Sequence, residues 1–279
     1  MAAYVQANNE VLHSRGMTDQ ARALLLTGVH NMRDYGGYAC ALGRLKGKLL
    51  FRSGDHVNAS DADLVRIDEL GLVTVIDLRA AAERRAAPCR RSPAFAAEVV
   101  CASDDTSGMA PHLQAAQLAS QQAMDVSLAH VEMINRYRGM PYRPALQHVF
   151  RGYFQAVANS CGPSLVHCAA GKDRTGLAVA LLHLALGVHR DDVIHDYMLT
   201  NTTAGAERQL TEGAELVRAI YGQDVSDAVV TALMGVDESY IEAAFLAIET
   251  KSGSLDHYLS EVLGVDAAMR ERLVEHLIE

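Results

Sequence analysis

The sequence lacks several features that would assign it to a particular class of protein. It has no tryptophan, and its five cysteines stand at irregular positions, 40, 89, 101, 161 and 168. An odd number of unevenly spaced cysteines gives no disulfide framework, and no Cys-x-x-Cys pair suggests a metal site. We therefore predict no metal and no cofactor. A reducing compartment is the default expectation for such a chain.

The sequence also lacks segments that direct a chain into or across a membrane. The first ten residues, M-A-A-Y-V-Q-A-N-N-E, have neither the basic region nor the apolar core of a signal peptide. The apolar segment Leu177 to Leu186 is far too short to cross a bilayer. We expect a cytoplasmic protein, and a signal-less route of secretion stays open as an alternative.

Positive charge is scarce, and lysine is nearly missing. The net charge is −9, and only four of the 25 basic residues are lysines: Lys46, Lys48, Lys172 and Lys251. An acidic chain argues against nucleic acid or an anionic membrane surface as a partner. A phosphate site must then be a local island of positive charge, and Lys172 lies in the stretch where we predict one.

That stretch, Ser164 to Gly176, reads S-L-V-H-C-A-A-G-K-D-R-T-G. Its short apolar run, Leu165-Val166, is typical of a buried parallel strand, and the apolar segment after Gly176 is typical of a buried helix. A strand that turns tightly into a helix directs several backbone N–H groups into one hollow, which suits a phosphate dianion. The residues predicted to bind phosphate are Ala169, Ala170, Gly171, Lys172, Asp173 and Arg174.

The side chains of this stretch fit phosphoryl transfer through a cysteine. The N–H array, the helix dipole and Arg174 would favour the thiolate of Cys168, which is the nucleophilic form. Arg174 can fork onto two phosphate oxygens, which a planar guanidinium does better than an ammonium. Gly171 permits the backbone conformation that the loop needs. The hydroxyl of Thr175 is placed to donate to the thiolate or to the departing sulfur.

The alternative is that Cys168 is only a small buried apolar side chain, as most free cysteines are. A bare cysteine followed by an arginine would favour that interpretation. Here His167, Gly171 and Thr175 also take matching places at a strand-to-helix switch, so we predict a nucleophile.

The rest of the chain is consistent with one α/β domain that takes up all 279 residues and can bury a sizeable core. Residues 1–20 are a polar lead-in. The apolar residues of Ala102 to Met124 follow no regular helix or strand period, and this segment is expected to be mobile. Leu72 to Leu78 predicts a buried strand, and Arg143 to Asn159 an amphipathic helix. The C-terminal part has a helical pattern.

Three charged residues outside the loop are candidates for a supporting role. Asp77 ends the predicted strand Leu72 to Leu78, where open α/β sheets place their sites, so it either faces the pocket or only caps the next helix. Arg33 and Asp34 either brace the catalytic loop through hydrogen bonds or are ordinary charges on an exposed turn.

The segment H-C-A-A-G-K-D-R-T-G, His167 to Gly176, resembles the signature loop of the cysteine-dependent protein tyrosine phosphatases. Its A-G-K-D-R-T-G form is similar to that of the bacterial tyrosine/serine phosphatase family, which includes secreted phosphatases of intracellular pathogens. The resemblance runs from about Ala21 to the C-terminus. It also rests on N-M-R-D-Y-G-G at Asn31 to Gly37, on Arg52-Ser53, on Asp77-Leu78-Arg79 and on G-S-L-D-H-Y-L at Gly253 to Leu259.

The resemblance implies a protein tyrosine phosphatase-like three-layer fold, in which helices flank a mostly parallel central sheet and the C-terminal part is helical. It implies hydrolysis of phosphotyrosine through a phosphocysteine intermediate, often extending to phosphoserine, phosphothreonine and phosphoinositides. The partner would then be a phosphorylated protein or a phosphoinositide. The family carries a helical lid, which would fall at about residues 205–235, although the edge of an ordinary helical bundle would read the same.

A departing alkoxide or phenolate needs a proton, and the sequence restricts where it can come from. No aspartate occurs between Asp125 and Asp173, whereas Asp173 lies inside the loop, next to Arg174. We predict Asp173 as the general acid, as the resemblance also suggests, with Asp77 as a supporting or alternative donor. The other role open to Asp173 is that of a structural partner for a nearby arginine or a loop N–H.

Lys172 adds a positive charge beside the loop. We predict that it contacts a second anionic group or the leaving side of the substrate and so extends specificity towards phosphoinositides. The alternative is that the ammonium is solvated and only raises the local potential.

Two other functions would use a loop cysteine. A phosphate-binding module without turnover would be indicated by loss of Cys168 or Arg174, and neither is lost. Rhodanese-type loops lack the H-C-x5-R-T pattern, and arsenate reduction usually needs resolving cysteines. Cys161 precedes the predicted strand, so we expect it at the far end of that strand. The sequence therefore favours a phosphatase, and it specifies no oligomeric state.

Overall fold

A computed structural model of the chain describes residues 17–102, 125–160, 162–203, 205–222 and 224–279. Most of the predicted polar lead-in, nearly all of the segment predicted to be mobile, and Cys161 lie outside these residues. The catalytic stretch and the strands and helices predicted around it lie inside them.

Two β-sheets are formed. The strands are, in chain order, β1 (Arg33–Asp34), β2 (Ala39–Cys40), β3 (Gly43–Arg44), β4 (Leu50–Ser53), β5 (Thr74–Asp77), β6 (Glu98–Cys101) and β7 (Ser164–His167). The main sheet has five strands in the order β1-β4-β7-β5-β6, and β2 and β3 form a small separate hairpin. In the main sheet, strands β4, β7, β5 and β6 are parallel and β1 is antiparallel to β4, and the β2–β3 hairpin is antiparallel.

The helices account for more than half of the described residues outside the strands. They are α1 (Asp19–Arg22), α2 (Asp61–Asp68), α3 (Ala81–Ala86), α4 (Val126–Gly139), α5 (Pro144–Asn159), α6 (Asp173–Ala185), α7 (Arg190–Met198), α8 (Ala206–Tyr221), α9 (Asp227–Met234), α10 (Glu238–Ser252), α11 (Leu255–His257) and α12 (Ala267–Leu277). Short 3₁₀ turns cover Met140–Tyr142 and Leu199–Asn201, and a π-helical turn covers Tyr258–Val262.

Both faces of the main sheet are covered. The central strands β4, β5 and β7 each contribute one residue to the larger core, Leu50, Ile76 and Val166, and one to the smaller core, Phe51, Val75 and Leu165. Helices α5 and α6 pack on the larger core and α2 on the smaller one. A strand that is buried on both faces presents apolar side chains to each of them, and for that reason the apolar runs of β5 and β7 were visible in the sequence. The predicted α/β fold of three layers is confirmed.

The register of the parallel strands explains where the site lies. Ser53 of β4 and Asp77 of β5 both stand beside His167, the last residue of β7. The carboxyl ends of the three central strands therefore meet at one edge of the sheet, and the loop before α6 starts there. Helix α5 begins and ends within one residue of its prediction. None of the helices in the described ranges has both the length and the apolar composition that a bilayer crossing requires.

Candidate active site

The catalytic loop, which we define as residues 168–172, connects β7 to α6 at the centre of the sheet. Its tight path depends on Gly171, whose φ of +69° lies in the left-handed region. A Cβ at this position would lie 2.4 Å from the backbone of Ser53 and Gly54. The loop therefore crosses directly over the end of β4, and only glycine fits at the crossing.

Residues outside the loop donate hydrogen bonds to its carbonyl groups. The backbone N–H of Asp55 donates to the Ala169 carbonyl at 2.8 Å, and the side-chain amide of Gln209 donates to the Ala170 carbonyl at 2.9 Å. Because a trans peptide directs its C=O and N–H oppositely, the N–H groups that follow these carbonyls face the other way. No acceptor within the described ranges of the chain meets the N–H groups of residues 169–172. These N–H groups are therefore available as donors for the phosphate that the sequence predicts here.

A buried charge network braces the loop at Gly171. Its carbonyl accepts hydrogen bonds from the Asn31 amide at 2.7 Å and from Arg52 at 3.0 Å. Arg52 also pairs with Asp196 of α7 at 2.7 Å. Arg33 pairs with the same carboxylate at 3.4 Å and donates to the side chain of Asn31. The prediction that Arg33 braces the loop therefore describes the structure, with Asn31 as the intermediate.

Asp34, the neighbour of Arg33, does not contact the loop. Its carboxylate accepts the backbone N–H groups of Gly36 at 2.7 Å and Lys48 at 2.6 Å. Adjacent residues of a strand point to opposite sides, so Arg33 and Asp34 reach different parts of the molecule. The predicted bracing role of Asp34 is corrected: it is neither a loop contact nor an exposed charge, but a buried acceptor that orders the turn after β1.

Cys168 follows β7 directly and is buried, with 3% of its surface exposed. Thr175 lies in the first turn of α6, and its Oγ1 is enclosed without a hydrogen-bond partner among the residues that the structure describes. A buried hydroxyl that lacks a partner is unusual, because hydroxyl groups normally find one when they leave water. The Thr175 hydroxyl is therefore uncommitted, and its predicted contact with the reacting sulfur stays a prediction.

Arg174 is held by a partner that the sequence did not suggest. Its Nη1 and Nη2 donate to the two carboxylate oxygens of Glu83 at 2.6 and 2.9 Å, and Nη1 also meets the Leu78 carbonyl at 3.3 Å. Burial alone would lower the pKa of Arg174, but the hydrogen bonds to Glu83 and the nearby acids raise it. Glu83 therefore binds the edge of the guanidinium formed by Nη1 and Nη2, so this edge is not free for the predicted two-pronged contact with phosphate. Nε is enclosed and has no partner in the described part of the chain.

Asp173, the predicted general acid, is buried at the start of α6. Its Oδ1 accepts a hydrogen bond from the hydroxyl of Tyr137 at 2.7 Å, and the Lys172 ammonium lies 3.2 Å from the same oxygen. The alternative partners considered from the sequence, a nearby arginine or a loop N–H, are not the ones observed.

The position of Lys172 differs from both alternatives drawn from the sequence. Its side chain is completely buried, and Nζ donates to the carbonyl groups of Leu233 at 2.8 Å and Gly235 at 3.1 Å. The ammonium is therefore neither solvated nor directed at a second anionic group. It is engaged by the end of α9, because the unpaired carbonyls at a helix C-terminus attract a cation.

Asp77 neither faces the hollow as a proton donor nor caps α3. It accepts the backbone N–H of Arg79 at 3.0 Å and both Nε and Nη2 of the same guanidinium. Burial would raise the pKa of Asp77, but His167 and Arg79 hold it well below its usual range. A carboxylate that is ionised at neutral pH has no proton to give, so the structure does not support Asp77 as an alternative acid.

His167 lies behind the loop and stacks on His56, with ring centroids 5.4 Å apart. Burial lowers the pKa of His167 to about 4, so the ring is neutral at neutral pH. Potential ligand atoms of His167, Asp77 and Cys89 lie within 4.8 Å of one another. The guanidinium of Arg79 already supplies the cation there, since Nη2 contacts Asp77 at 2.8 Å and the Cys89 sulfur at 3.0 Å.

The predicted lid region forms α8 and α9, and both helices contact the catalytic loop. Gln209 of α8 holds the Ala170 carbonyl, and the end of α9 holds Lys172. These contacts fasten the region to the loop. Its role as a lid stays a prediction.

Sequence reasoning missed several residues that hold the site in place: Asn31, Arg52, Glu83, Tyr137, Asp196 and Gln209. Asn31 belongs to the N-M-R-D-Y-G-G motif and Arg52 to the Arg-Ser motif, so these two motifs carry a signal in the sequence for both residues. The other four lie on helices and carry no distinguishing pattern in the sequence.

A loop of this geometry at the centre of a sheet of this order defines a class, the phosphatases with a tyrosine phosphatase-like fold. Comparison with known proteins agrees. A family model described as "Tyrosine phosphatase family" matches residues 24–279. A protein of Cupriavidus necator that is named as a tyrosine-protein phosphatase is 36% identical over 244 residues, which are 86% of this chain and 84% of that protein.

Two further relatives have related names. The triple specificity protein phosphatase PtpB of Mycobacterium tuberculosis is 30% identical over 276 residues, covering 89% of this chain and 96% of that protein. A tyrosine-protein phosphatase of Nostoc commune is 29% identical over 166 residues, 58% of this chain and 51% of that protein. The chain belongs to the tyrosine phosphatase family and is a protein tyrosine phosphatase, a hydrolase of phosphoric monoesters. The family resemblance noticed in the motifs is confirmed.

Proposed function

We propose that the chain hydrolyses phosphotyrosine in proteins through a phosphocysteine intermediate formed on Cys168. The observation that carries the proposal is the set of N–H groups of residues 169–172, which have no acceptor in the described ranges and lie directly after Cys168. Such donors stabilise the phosphoryl oxygens as charge develops on them, without any reorganisation of the protein. Phosphate also suits the start of α6, where the helix dipole is positive.

In the first step the Cys168 thiolate attacks phosphorus. The S–P bond forms as the P–O bond to the tyrosine oxygen breaks, and Asp173 donates its proton to that oxygen. In the second step water attacks phosphorus, the O–P bond forms, the P–S bond breaks and Asp173 takes a proton from the water. The Thr175 hydroxyl donates to the sulfur as the thiolate departs.

Arg174 binds the transferred phosphoryl group with the donors that Glu83 leaves free. Nε has no partner among the residues that the structure describes, and Nη2 has a second hydrogen besides the one directed at Glu83. These two donors lie on one edge of the guanidinium and can contact two phosphoryl oxygens together. Glu83 then fixes the adjacent edge, formed by Nη1 and Nη2.

We further propose that phosphoserine, phosphothreonine and phosphoinositides are substrates. The support is the relationship to PtpB of M. tuberculosis, which is named as a triple specificity phosphatase. A general acid at the start of α6, directly after the loop, supports it as well, because an alkyl oxygen needs a proton more than a phenolic one. Lys172 does not contribute to this proposal, since its ammonium is engaged by α9.

Replacing the proposed nucleophile tests the mechanism. We expect Cys168→Ser to abolish turnover of a phosphotyrosine peptide and to keep binding of vanadate, because the N–H groups and Arg174 are unchanged. Steady-state hydrolysis and vanadate titration measure the two effects. Cys40→Ser is the matched control, since Cys40 is also buried and free and lies on β2.

Hydrolysis by Cys168→Ser at a rate close to that of the wild type would refute the phosphocysteine intermediate. Binding of phosphopeptides by the wild type without turnover would instead favour the phosphate-binding module. A panel of phosphotyrosine, phosphoserine and phosphothreonine peptides and a phosphoinositide then decides how broad the specificity is.

A further inference from the structure

We propose that Tyr137 is a positioning residue for the general acid: it holds Oδ1 of Asp173 so that the transferable proton sits on Oδ2. The inference rests on the proposed function, in which Asp173 is the acid.

The hydroxyl of Tyr137 belongs to a buried chain of hydrogen bonds that ends at Asp173. Tyr197 of α7 donates to Tyr137 at 2.7 Å, and Tyr137 of α4 donates to Oδ1 at 2.7 Å. Both tyrosines are at most 1% exposed. A carboxylate can only accept, so the order of donation is fixed and the Tyr137 proton always points at Asp173.

A positive charge lies beside the same oxygen. The Lys172 ammonium lies 3.2 Å from Oδ1 and is itself held by the Leu233 and Gly235 carbonyls. Oδ2 has no hydrogen-bond partner among the described residues, and the atom is not completely enclosed by the protein. The two oxygens therefore differ: Oδ1 accepts from Tyr137 and lies beside the Lys172 ammonium, and Oδ2 is the oxygen left for a proton.

This asymmetry suits a general acid. A protonated carboxyl group with its hydrogen on Oδ2 still accepts at Oδ1, so the contact with Tyr137 persists in both protonation states. When the proton leaves, the charge that appears on the carboxylate meets the Tyr137 donor and the Lys172 charge already in place, so no rotation of the carboxyl group is needed.

The position of the Tyr137 hydroxyl is fixed by packing. Its ring centroid lies 6.3 Å from that of Tyr197 and 5.8 Å from that of Tyr240, and the side chain is fully buried. Burial raises the pKa of Tyr137 well above its ordinary value, so the hydroxyl remains a donor at any working pH.

Charged and titratable groups from several elements surround the Asp173 carboxyl and belong to any account of its pH dependence. They are Lys172 and Arg174 beside it, Arg136 and Tyr137 on α4, Arg143 before α5, Tyr197 on α7 and Tyr240 on α10.

The test is Tyr137→Phe, which removes one hydroxyl and keeps the ring. We expect kcat for a phosphoserine peptide to fall about tenfold or more, the scale of a lost hydrogen bond to a charged group. Hydrolysis of p-nitrophenyl phosphate, whose leaving group is a weak base, should fall much less, and KM should change little for either substrate. The basic limb of the kcat profile should move to higher pH, because the carboxylate loses a donor that stabilises it.

Tyr153→Phe is the matched control, because the Tyr153 hydroxyl pairs with that of Tyr35 at 2.8 Å in an equally buried place away from Asp173. We expect it to leave the ratio of the two rates and the pH limb unchanged. If Tyr137→Phe changes both rates by one factor, as a loss of stability would, the inference is refuted. If that variant does not fold, Tyr197→Phe decides: a smaller change of the same kind supports the inference, and an unchanged ratio refutes it.

Asp173→Asn separates this inference from the function it rests on. A strong, leaving-group-dependent loss in Asp173→Asn with no such effect in Tyr137→Phe refutes the positioning role and keeps the acid. Equal loss for both substrates in Asp173→Asn removes Asp173 as the acid, and the inference with it.

Discussion

Arg174 shows at the scale of single residues how a motif depends on a side chain outside it. Its partner Glu83 comes 91 residues earlier in the chain. Glu83 is itself fixed, because Oε2 accepts the backbone N–H of Ala80 at 2.8 Å at the start of α3. A bidentate pair of this kind sets the orientation of the guanidinium as well as its charge balance.

We expect Glu83→Gln to lower kcat/KM for a phosphotyrosine peptide by about tenfold to hundredfold, the scale of hydrogen bonds between charged groups. The amide keeps the size of the side chain but supplies only one acceptor, so Arg174 loses its fixed orientation. Steady-state kinetics measure the effect.

The control is Asp61→Asn, which disrupts an exposed pair between Asp61 and Arg90 and should leave kcat/KM unchanged. An unchanged kcat/KM in Glu83→Gln, together with tighter phosphate binding, would mean that Glu83 competes with the substrate instead of orienting Arg174.

At the scale of elements, Lys172 joins the catalytic loop to α9. Its ammonium satisfies two carbonyls at the end of that helix and pairs with Asp173. A buried cation without these partners would be costly, so the loop and the end of α9 keep their positions together.

We expect Lys172→Met to lower kcat/KM by the same factor for a phosphoserine peptide and for a phosphoinositide, because both substrates have an alkyl leaving group and the side chain meets neither of them. The free energy of unfolding should fall by about 1–3 kcal/mol, the cost of leaving buried acceptors unsatisfied. Amide hydrogen exchange in α9 should become faster.

Lys251→Met is the matched control, since Lys251 is exposed and only lies over the ring of Tyr142 at 4.5 Å. A loss confined to the phosphoinositide in Lys172→Met would show that the lysine meets a second anionic group, as the sequence suggested.

At the scale of the whole molecule, Asp196 connects parts of the chain that are far apart in sequence. The fully buried Arg33 of β1 and Arg52 of β4 share its carboxylate, and Arg52 also holds the loop at Gly171. The sheet, the catalytic loop and α7 therefore meet at one negative charge.

We expect Asp196→Asn to lower the free energy of unfolding by about 3–5 kcal/mol, because it leaves two buried arginines without their counter-charge. Urea unfolding measures the change. Asp256→Asn, which removes an exposed partner of Arg270 at 2.9 Å, should change stability little. Equal effects of the two substitutions would contradict a central role for Asp196.

The same residue sets a pH dependence. Burial would raise the pKa of Asp196, but Arg33 and Arg52 hold it well below its usual range. The unfolded carboxyl has a pKa of about 3.9, so below that pH the unfolded state binds more protons than the folded state. The stability contributed by Asp196 is complete above this pH and is lost as the pH falls towards the folded value. Acid unfolding of Asp196→Asn should therefore be less steep than that of the wild type.

Much of the fold was predictable because its signals are local. The central strands are apolar on both faces, and the amphipathic stripe of α5 lies within one helix. Asp34 and Asp77 show the limit of such a prediction. The sequence indicates both as candidate residues, but the groups that a side chain contacts depend on its neighbours in space.

The sequence by itself determined the catalytic loop, because a cysteine, a glycine and an arginine at fixed spacing act within one strand-to-helix turn. Only the tertiary structure decided which groups hold that loop: Glu83 on Arg174, Tyr137 on Asp173, and α9 on Lys172. The physical reason is the distance along the chain between the residues that make each contact. A turn is specified by the residues that make it, whereas a buried charge takes the partner that packing brings to it, and no pattern along the chain records that choice.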